Sequence, residues 1–273
     1  MAVNTKALKA RIRSVDSTMH ITKAMELVAS SKIKRARTRM EEGRFYRSVL
    51  DEAFTDLAAS DTLYSRKREG LPSLCIVIAG DRGLAGGYNN NVFKLALSLL
   101  QAGDLVLPIG RRTADYFSRR GWTNAADRLF STETLTSSDC AEIAQKVKGM
   151  YDRGEIGAVH LVSTKFVSML TQEAYSDLLL PLEKREGAKT SSVMYEPDPE
   201  SVLEAIVPEY LAGITYSAAC ESLASELAAR RSAMDTATKN ASAMIDELNL
   251  KYNRARQSAI TQEITEIVAG SNA

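Results

Sequence analysis

Residues 1–42 and 214–269 contain neither glycine nor proline, although the chain of 273 residues has 15 of the first and 6 of the second. These are the strongest helix breakers, so their absence predicts two helices well above the usual length. Periodicity agrees. Steps of four and three from Leu8 give Leu8, Ile12, Val15, Met19, Thr22, Glu26, Ala29, Ile33, Ala36 and Met40. Eight of these ten are apolar, which is the heptad seam of a coiled coil. The C-terminal segment repeats the pattern through Cys220, Leu223, Leu227, Arg230, Met234, Ala237, Ala241, Met244 and Leu248, with Arg230 the odd member. A helix of about 55 residues spans roughly 80 Å, more than a domain of this size can bury along its length. The reading is therefore that the two segments pair with each other and that part of the pair projects.

The stretch between them alternates strand and helix. SLCIVIA (73–79), DLVLPIG (104–110) and GAVHLVSTKF (157–166) read as strands. VFKLALSLLQ (92–101), RRTADYFSRRG (111–121) and AEIAQKVKGMYDRG (141–154) read as helices, and residues 183–192 read as a loop. Strands separated by helices of about a dozen residues predict a parallel βαβ sheet. The expected fold class is α/β: a long antiparallel two-helix coiled coil formed by the terminal segments, with a Rossmann-like α/β domain inserted. The expected boundaries are 1–58 for the first coiled-coil helix, 70–200 for the α/β domain and 208–270 for the second coiled-coil helix.

Charge is balanced overall at +1 but unevenly placed, with ten Lys or Arg against Asp16 and Glu26 in residues 1–40. The run Lys32, Lys34, Arg35, Arg37 and Arg39 flanks the seam, and acids at helical spacing are scarce, which brings an acidic partner level with the plain reading of a solvated face. Few aromatics interleave with it, so a stacking platform for nucleic acid is lacking. A basic coiled coil that clamps phosphates through residues 23–39 is the alternative reading. Cys75, Cys140 and Cys220 stand far apart, which argues against a disulfide framework or a zinc site. The longest apolar runs are too short to cross a bilayer as helices, and the N-terminus lacks the apolar core of a secretory signal.

GDRGLAGGYN (80–89) follows a strand and precedes a helix, where nucleotide folds place an anion site. It lacks both GxxxxGK[ST] and GxGxxG, and a tight strand-to-helix turn explains its glycines as well. A nucleotide-using enzyme with its site at Gly80–Gly87 is the other rival. No nucleophile elbow, HExxH or paired-carboxylate motif can be assigned, and His20 and His160 read as surface or packing residues.

ITKAMELVASSK, GDRGLAGGYN, YEPDPESVL, ARRSAMDTATKNA and YNRARQSAITQEITEIVAG resemble, in order and across essentially the whole chain, the gamma-subunit family of F-type ATP synthases of the bacterial type. The resemblance implies a central-stalk rotor with no catalytic residue, no metal and no cofactor of its own. Its implied partners are the alpha3-beta3 hexamer, the epsilon subunit and the membrane c-ring, with no nucleic acid. It places the protein peripherally on the cytoplasmic side of the cell inner membrane. Matching the motifs, Lys23, Met25, Glu26, Arg230, Gln257, Thr261 and Glu263 would contact the beta subunits. Ile260, Ile264, Ile267 and Val268 would form a smooth bearing tip. Lys32, Lys34, Arg35, Tyr195 and Glu196 would contact the c-ring or epsilon. The family often carries Cys within the central turn, as GLCGG; Ala85 stands there in this chain.

Overall fold

The computed structural model describes residues 5–57, 62–66, 68–182, 196 and 198–271. The long terminal segments are helical: α1 spans Thr5–Leu57 and α5 spans Pro199–Ser271. Between them run β1 (Ser73–Ile78), α2 (Tyr88–Leu99), β2 (Leu105–Ile109), α3 (Arg111–Ser118), β3 (Thr123–Asn124), α4 (Ser137–Asp152), β4 (Ala158–Phe166) and β5 (Gln172–Leu180). The expected loop at 183–192 lies outside the described residues. The chain divides into two compact units, Met1–Ala29 with Arg231–Ala273, and Ser30–Arg230.

The larger unit, Ser30–Arg230, holds a five-stranded sheet of order β3-β2-β1-β4-β5. Strands β1, β2, β3 and β4 pair in parallel, and β5 adds antiparallel to β4. The short β3 and the antiparallel β5 depart from the sequence reading. Strand β5 escapes notice because QEAYSDLLL mixes charged and apolar residues, as half-covered edge strands do. The central strand β1 is buried on both faces, and its period of two sorts its side chains into separate cores. Leu74, Ile76 and Ile78 join α4, the start of α5 and Phe54 of α1. Cys75 and Val77 join Val92, Phe93 and Ala96 of α2 and Phe117 of α3. Helices thus cover both faces, as a parallel sheet requires.

Helix α4 starts on a capping box, in which Thr136 and Asp139 each bond the other's backbone N–H. Helix α5 begins at Pro199, before the expected 208, and passes through Pro208 and Gly213. Within this unit α1 and α5 run antiparallel: Gly43 faces Ser217, Tyr46 faces Gly213, and Phe54 stacks on Tyr210 with ring centroids 4.2 Å apart. The glycines set the approach. A Cβ built on Gly213 would lie 2.6 Å from Tyr46 Cε1, so only a bare Cα fits beneath that ring. Glycine inside a helix costs about 1 kcal/mol relative to alanine; close packing offsets this here.

In the smaller unit, residues up to 29 of α1 and from 231 of α5 meet through a narrow seam. Thr22 and Thr238 share a hydrogen bond of 2.8 Å across it. Leu8, Ile12, Val15, Met19, Thr22 and Glu26 are half-buried and Ala29 is buried, while most residues between them are exposed. The seam on α5 follows Met234, Ala237, Thr238, Ala241, Ile245, Leu248, Tyr252 and Ala255. Met244, expected on this seam, is exposed, and Ile245 takes the place. Steps of four then three from Met234 follow the covered face through Thr238, Ala241, Ile245 and Leu248, whereas steps of three then four pass through Met244; the two orders share Ala241 and Leu248.

Candidate interaction site

Where α5 crosses the sheet, residues 221–228 are buried with the sole exception of half-buried Leu223. Two carboxylates lie inside this stretch. Glu221 accepts from the Phe166 amide at 2.9 Å and from Arg44 at 2.5 Å, and Arg44 also donates to the Phe166 carbonyl at 2.6 Å. The pair therefore holds both backbone polar groups of Phe166, the residue that ends β4. One turn along α5, Glu226 and Arg230 form a second pair at 2.5 Å, their side chains 5% and 12% exposed. Burial raises the Glu226 carboxyl above the ordinary carboxylate range, against the pull of Arg230. Desolvation would be prohibitive without that guanidinium.

The glycine turn closes onto this pair. Arg230 donates to the Gly83 carbonyl at 3.2 Å. A Cβ on Gly80 would fall 2.5 Å from Glu226 Oε1, so the first glycine of the turn is required for packing against α5. The Gly80 amide donates to Asn89 Oδ1 at 2.9 Å, and Asn89 donates back to the Arg82 carbonyl. Asp81 accepts from the Arg111 amide, the Ser131 hydroxyl and the Glu133 amide. Tyr88 reaches across to the Ser222 carbonyl at 2.9 Å, and burial raises its phenol. At the apex Leu84 is exposed and adopts φ 62°, the left-handed region that a branched side chain rarely enters. Two glycines thus hold the turn against α5, and Asp81 and Asn89 brace it. The sequence reading missed Glu226 as its anchor. The available signal was the i, i+4 spacing of Glu226 and Arg230 in an otherwise small and apolar stretch.

The other expected contact residues fall into separate groups. Lys23 is exposed and pairs with Glu26 at 2.8 Å, and Met25 is half-buried beside them. On α5, Asp235 and Lys239 pair at 2.7 Å, which lowers the Asp235 carboxyl and raises the Lys239 ammonium. Gln257, Thr261 and Glu263 are exposed, and the Thr261 hydroxyl bonds the Gln257 carbonyl. Ile260, Ile264, Ile267 and Val268 are also exposed. At i, i+4, i+7 and i+8 they share one face of α5. Arg230 differs from these residues, because its guanidinium is bonded to a distant segment, at the Gly83 carbonyl, as well as to its helix neighbour Glu226.

The basic run is only partly neutralised. Lys32 pairs with Glu133, and Arg37 pairs with Glu41 at 3.7 Å and lies over the Phe166 ring. Lys34 and Arg35 are exposed, with no ion pair among the described residues. Glu196 is exposed; Tyr195 lies outside the described residues. Among the described residues no cluster of three His, Cys, Asp or Glu could hold a metal ion, and no helix is long and apolar enough to cross a membrane.

A family model described as ATP synthase matches residues 4–273. The chain is 43% identical over 279 residues to the ATP synthase gamma chain of Ruminococcus albus, covering 98% of each. It is 38% identical over 300 residues to the sodium ion specific ATP synthase gamma chain of Acetobacterium woodii, covering 100% of this chain and 99% of that one. A solved chain from the central stalk and c-ring of the Tetrahymena thermophila mitochondrial ATP synthase is 26% identical, with TM-score 0.59 over 80% of this chain and 99% of that one. A chain of the Euglena gracilis mitochondrial enzyme shares the fold at TM-score 0.72 and 15% identity, covering 98% of this chain and 93% of that one. On a full-length match to the family model and to these relatives, the chain belongs to the ATP synthase gamma-chain family.

Proposed function

We propose that the chain is the central-stalk rotor of a proton- or cation-translocating F-type ATP synthase. It couples rotation of the membrane c-ring to sequential change at catalytic sites on the beta subunits. The observation that carries this is likeness to gamma chains over the full length, helices included. The physical logic is symmetry breaking. Three identical sites around a pair of unlike helices each meet a different face, and each face favours a different open or closed state by its contacts. About 1.4 kcal/mol of difference shifts such a population tenfold. Turning the pair changes nucleotide affinity at each site in turn, and reciprocity lets hydrolysis drive the rotation.

In this reading Lys23, Met25, Glu26, Gln257, Thr261 and Glu263 meet the beta subunits, and Ile260, Ile264, Ile267 and Val268 form the bearing. The exposure of Lys23, Gln257, Thr261, Glu263 and the four apolar residues supports those roles, while Met25 and Glu26 are half-buried beside Lys23. Arg230 acts through the turn it holds as well as by any outward contact. Lys32, Lys34, Arg35, Tyr195 and Glu196 serve the c-ring or epsilon. Exposed ion pairs are weak and salt-screened, which suits surfaces that must slide. The protein then sits peripherally at the cytoplasmic face of the cell membrane, within the alpha3-beta3, epsilon and c-ring assembly. The nucleic-acid reading finds no support among the relatives named above.

The test uses the assembled complex. Charge reversal Glu263→Lys should lower coupled ATP synthesis several-fold, while the thermal unfolding of the purified chain stays unchanged because the residue is exposed. The purified chain alone should hydrolyse no ATP. Turnover by the isolated chain, or unaided salt-sensitive binding to RNA, would overturn the reading.

A further inference from the structure

The outer side of the glycine turn lines a cleft of about 340 Å³ whose remaining walls come from α2 and α3. This volume sits at the low end of the roughly 300–1,000 Å³ typical of ligand pockets. Three arginines line it, Arg112, Arg119 and Arg120, against the single carboxylate of Asp115, leaving the lining at +2. Arg112, Asp115 and Arg119 stand at i, i+3 and i+7, on one face of α3. None of the three arginines has an ion pair among the described residues. This sets them apart from Arg44, Arg47, Arg128 and Arg153, each of which is paired with a carboxylate.

Two of the three are anchored. The Arg112 amide bonds the Gly80 carbonyl at 3.2 Å, tying the start of α3 to the turn. Its guanidinium lies over Gly83, where a Cβ would come within 2.9 Å of Nη2. Arg120 stacks on Tyr116 at 3.7 Å from the ring centroid, and Tyr116 stacks on Phe93 at 4.2 Å between centroids. Both faces of the Tyr116 ring are thereby occupied, so no platform is left for a nucleobase. What the cleft offers is planar guanidinium forks, which match the oxygens of a phosphate in pairs.

We propose that this cleft binds a phosphate-type oxyanion, either free phosphate or pyrophosphate or the phosphate chain of a nucleotide, recognised through Arg112, Arg119 and Arg120 rather than through a base. The nucleotide rival weighed from the sequence placed chemistry in the turn itself; here only the outer edge of the turn takes part, and no turnover is involved.

The full chain titrated with inorganic pyrophosphate at low salt, followed by calorimetry, tests this. Saturable binding is expected, weakened at least about tenfold in the double variant R112S/R119S. Binding should be strengthened in D115N, which removes the opposing charge, and should fall steeply with added salt. Equal affinity for ADP and pyrophosphate, with none for adenosine, would identify a nucleotide's phosphate chain as one source. Binding of pyrophosphate and phosphate but not ADP would identify the free anion. All substituted residues are exposed, so circular dichroism should be unchanged; if the double variant fails to fold, D115N carries the decision by the sign of its effect. Absence of saturable binding by any phosphate, unchanged affinity in a folded R112S/R119S or weaker affinity in D115N overturns the proposal. So does an acidic peptide that binds the cleft more tightly than every phosphate, which would make it a protein-docking surface.

Discussion

The same helix, α5, lives in two environments. Within Ser30–Arg230 it is buried on almost every side from Tyr210 to Ala228, so even its carboxylates at Glu221 and Glu226 are enclosed and paired. Within the other unit it is covered only along a seam of small and apolar residues, and its last turns present isoleucines to solvent. In the first region a side chain is held by several neighbours and its loss is felt in stability. In the second, most side chains touch nothing in the chain and their loss should be felt only by a partner. A continuous helix is thus a structural member at one end and a surface at the other.

The contrast breaks most visibly at Arg230. Charge reversal Arg230→Glu leaves Glu226 facing a second carboxylate in a buried site, and should destabilise the purified chain by about 3–5 kcal/mol in chemical unfolding. An unfolding midpoint like that of the parent would mean that Arg230 belongs to the surface class. Gly213→Val comes next. Its side chain must push Tyr46 and Leu50 aside, at about 1–3 kcal/mol read as a drop in melting temperature. A neutral result there would show that α1 and α5 can separate at no cost.

Two weaker effects sharpen the comparison. Because Glu226 has a raised carboxyl, its contribution to stability is fully present below its unfolded value of 4.5 and is lost as pH rises through the folded value. Asp139 works the other way. Bonds from Thr136 and Arg128 lower it to about 2, so its contribution is present above 3.8 and lost as pH falls towards about 2. Comparing Glu226→Gln with the parent across pH 4 to 8 should therefore show the parent losing ground as pH rises; an unchanging difference would contradict the burial of that carboxyl. The smallest effect belongs to Ile267→Ser, expected within about 0.5 kcal/mol of the parent in the purified chain and visible only in the assembled enzyme.

How far the sequence could be read tracks how local each feature is. The seam from Leu8 to Met40 was legible residue by residue, because a heptad depends only on the helix repeat and every position on it is at least half-buried. Met244 was misplaced because between Ala241 and Leu248 a heptad can step three then four or four then three, and only the facing helix shows which of Met244 and Ile245 is covered. Strands β1, β2 and β4 were legible from apolar runs; the two-residue β3 and the edge strand β5 were not, since β5 mixes charged residues with apolar ones and most of its side chains are only half-covered. Of the expected contact residues, Lys23, Lys32, Lys34, Arg35, Glu196, Gln257, Thr261 and Glu263 are exposed, whereas Met25 and Glu26 are half-buried. The inward role of Arg230 was not legible, because nothing near it in the chain announces Gly83.

By itself the sequence determined two long helices, their pairing face and an α/β middle. Those follow from helix propensity and repeat, which act between residues a few positions apart. The tertiary structure decided that Glu226 and Arg230 are enclosed, that Gly80 and Gly213 serve close approach, and that three arginines face one cleft. Such outcomes rest on which distant segments exclude water from each other, and desolvation is a property of the packed molecule rather than of any stretch of chain.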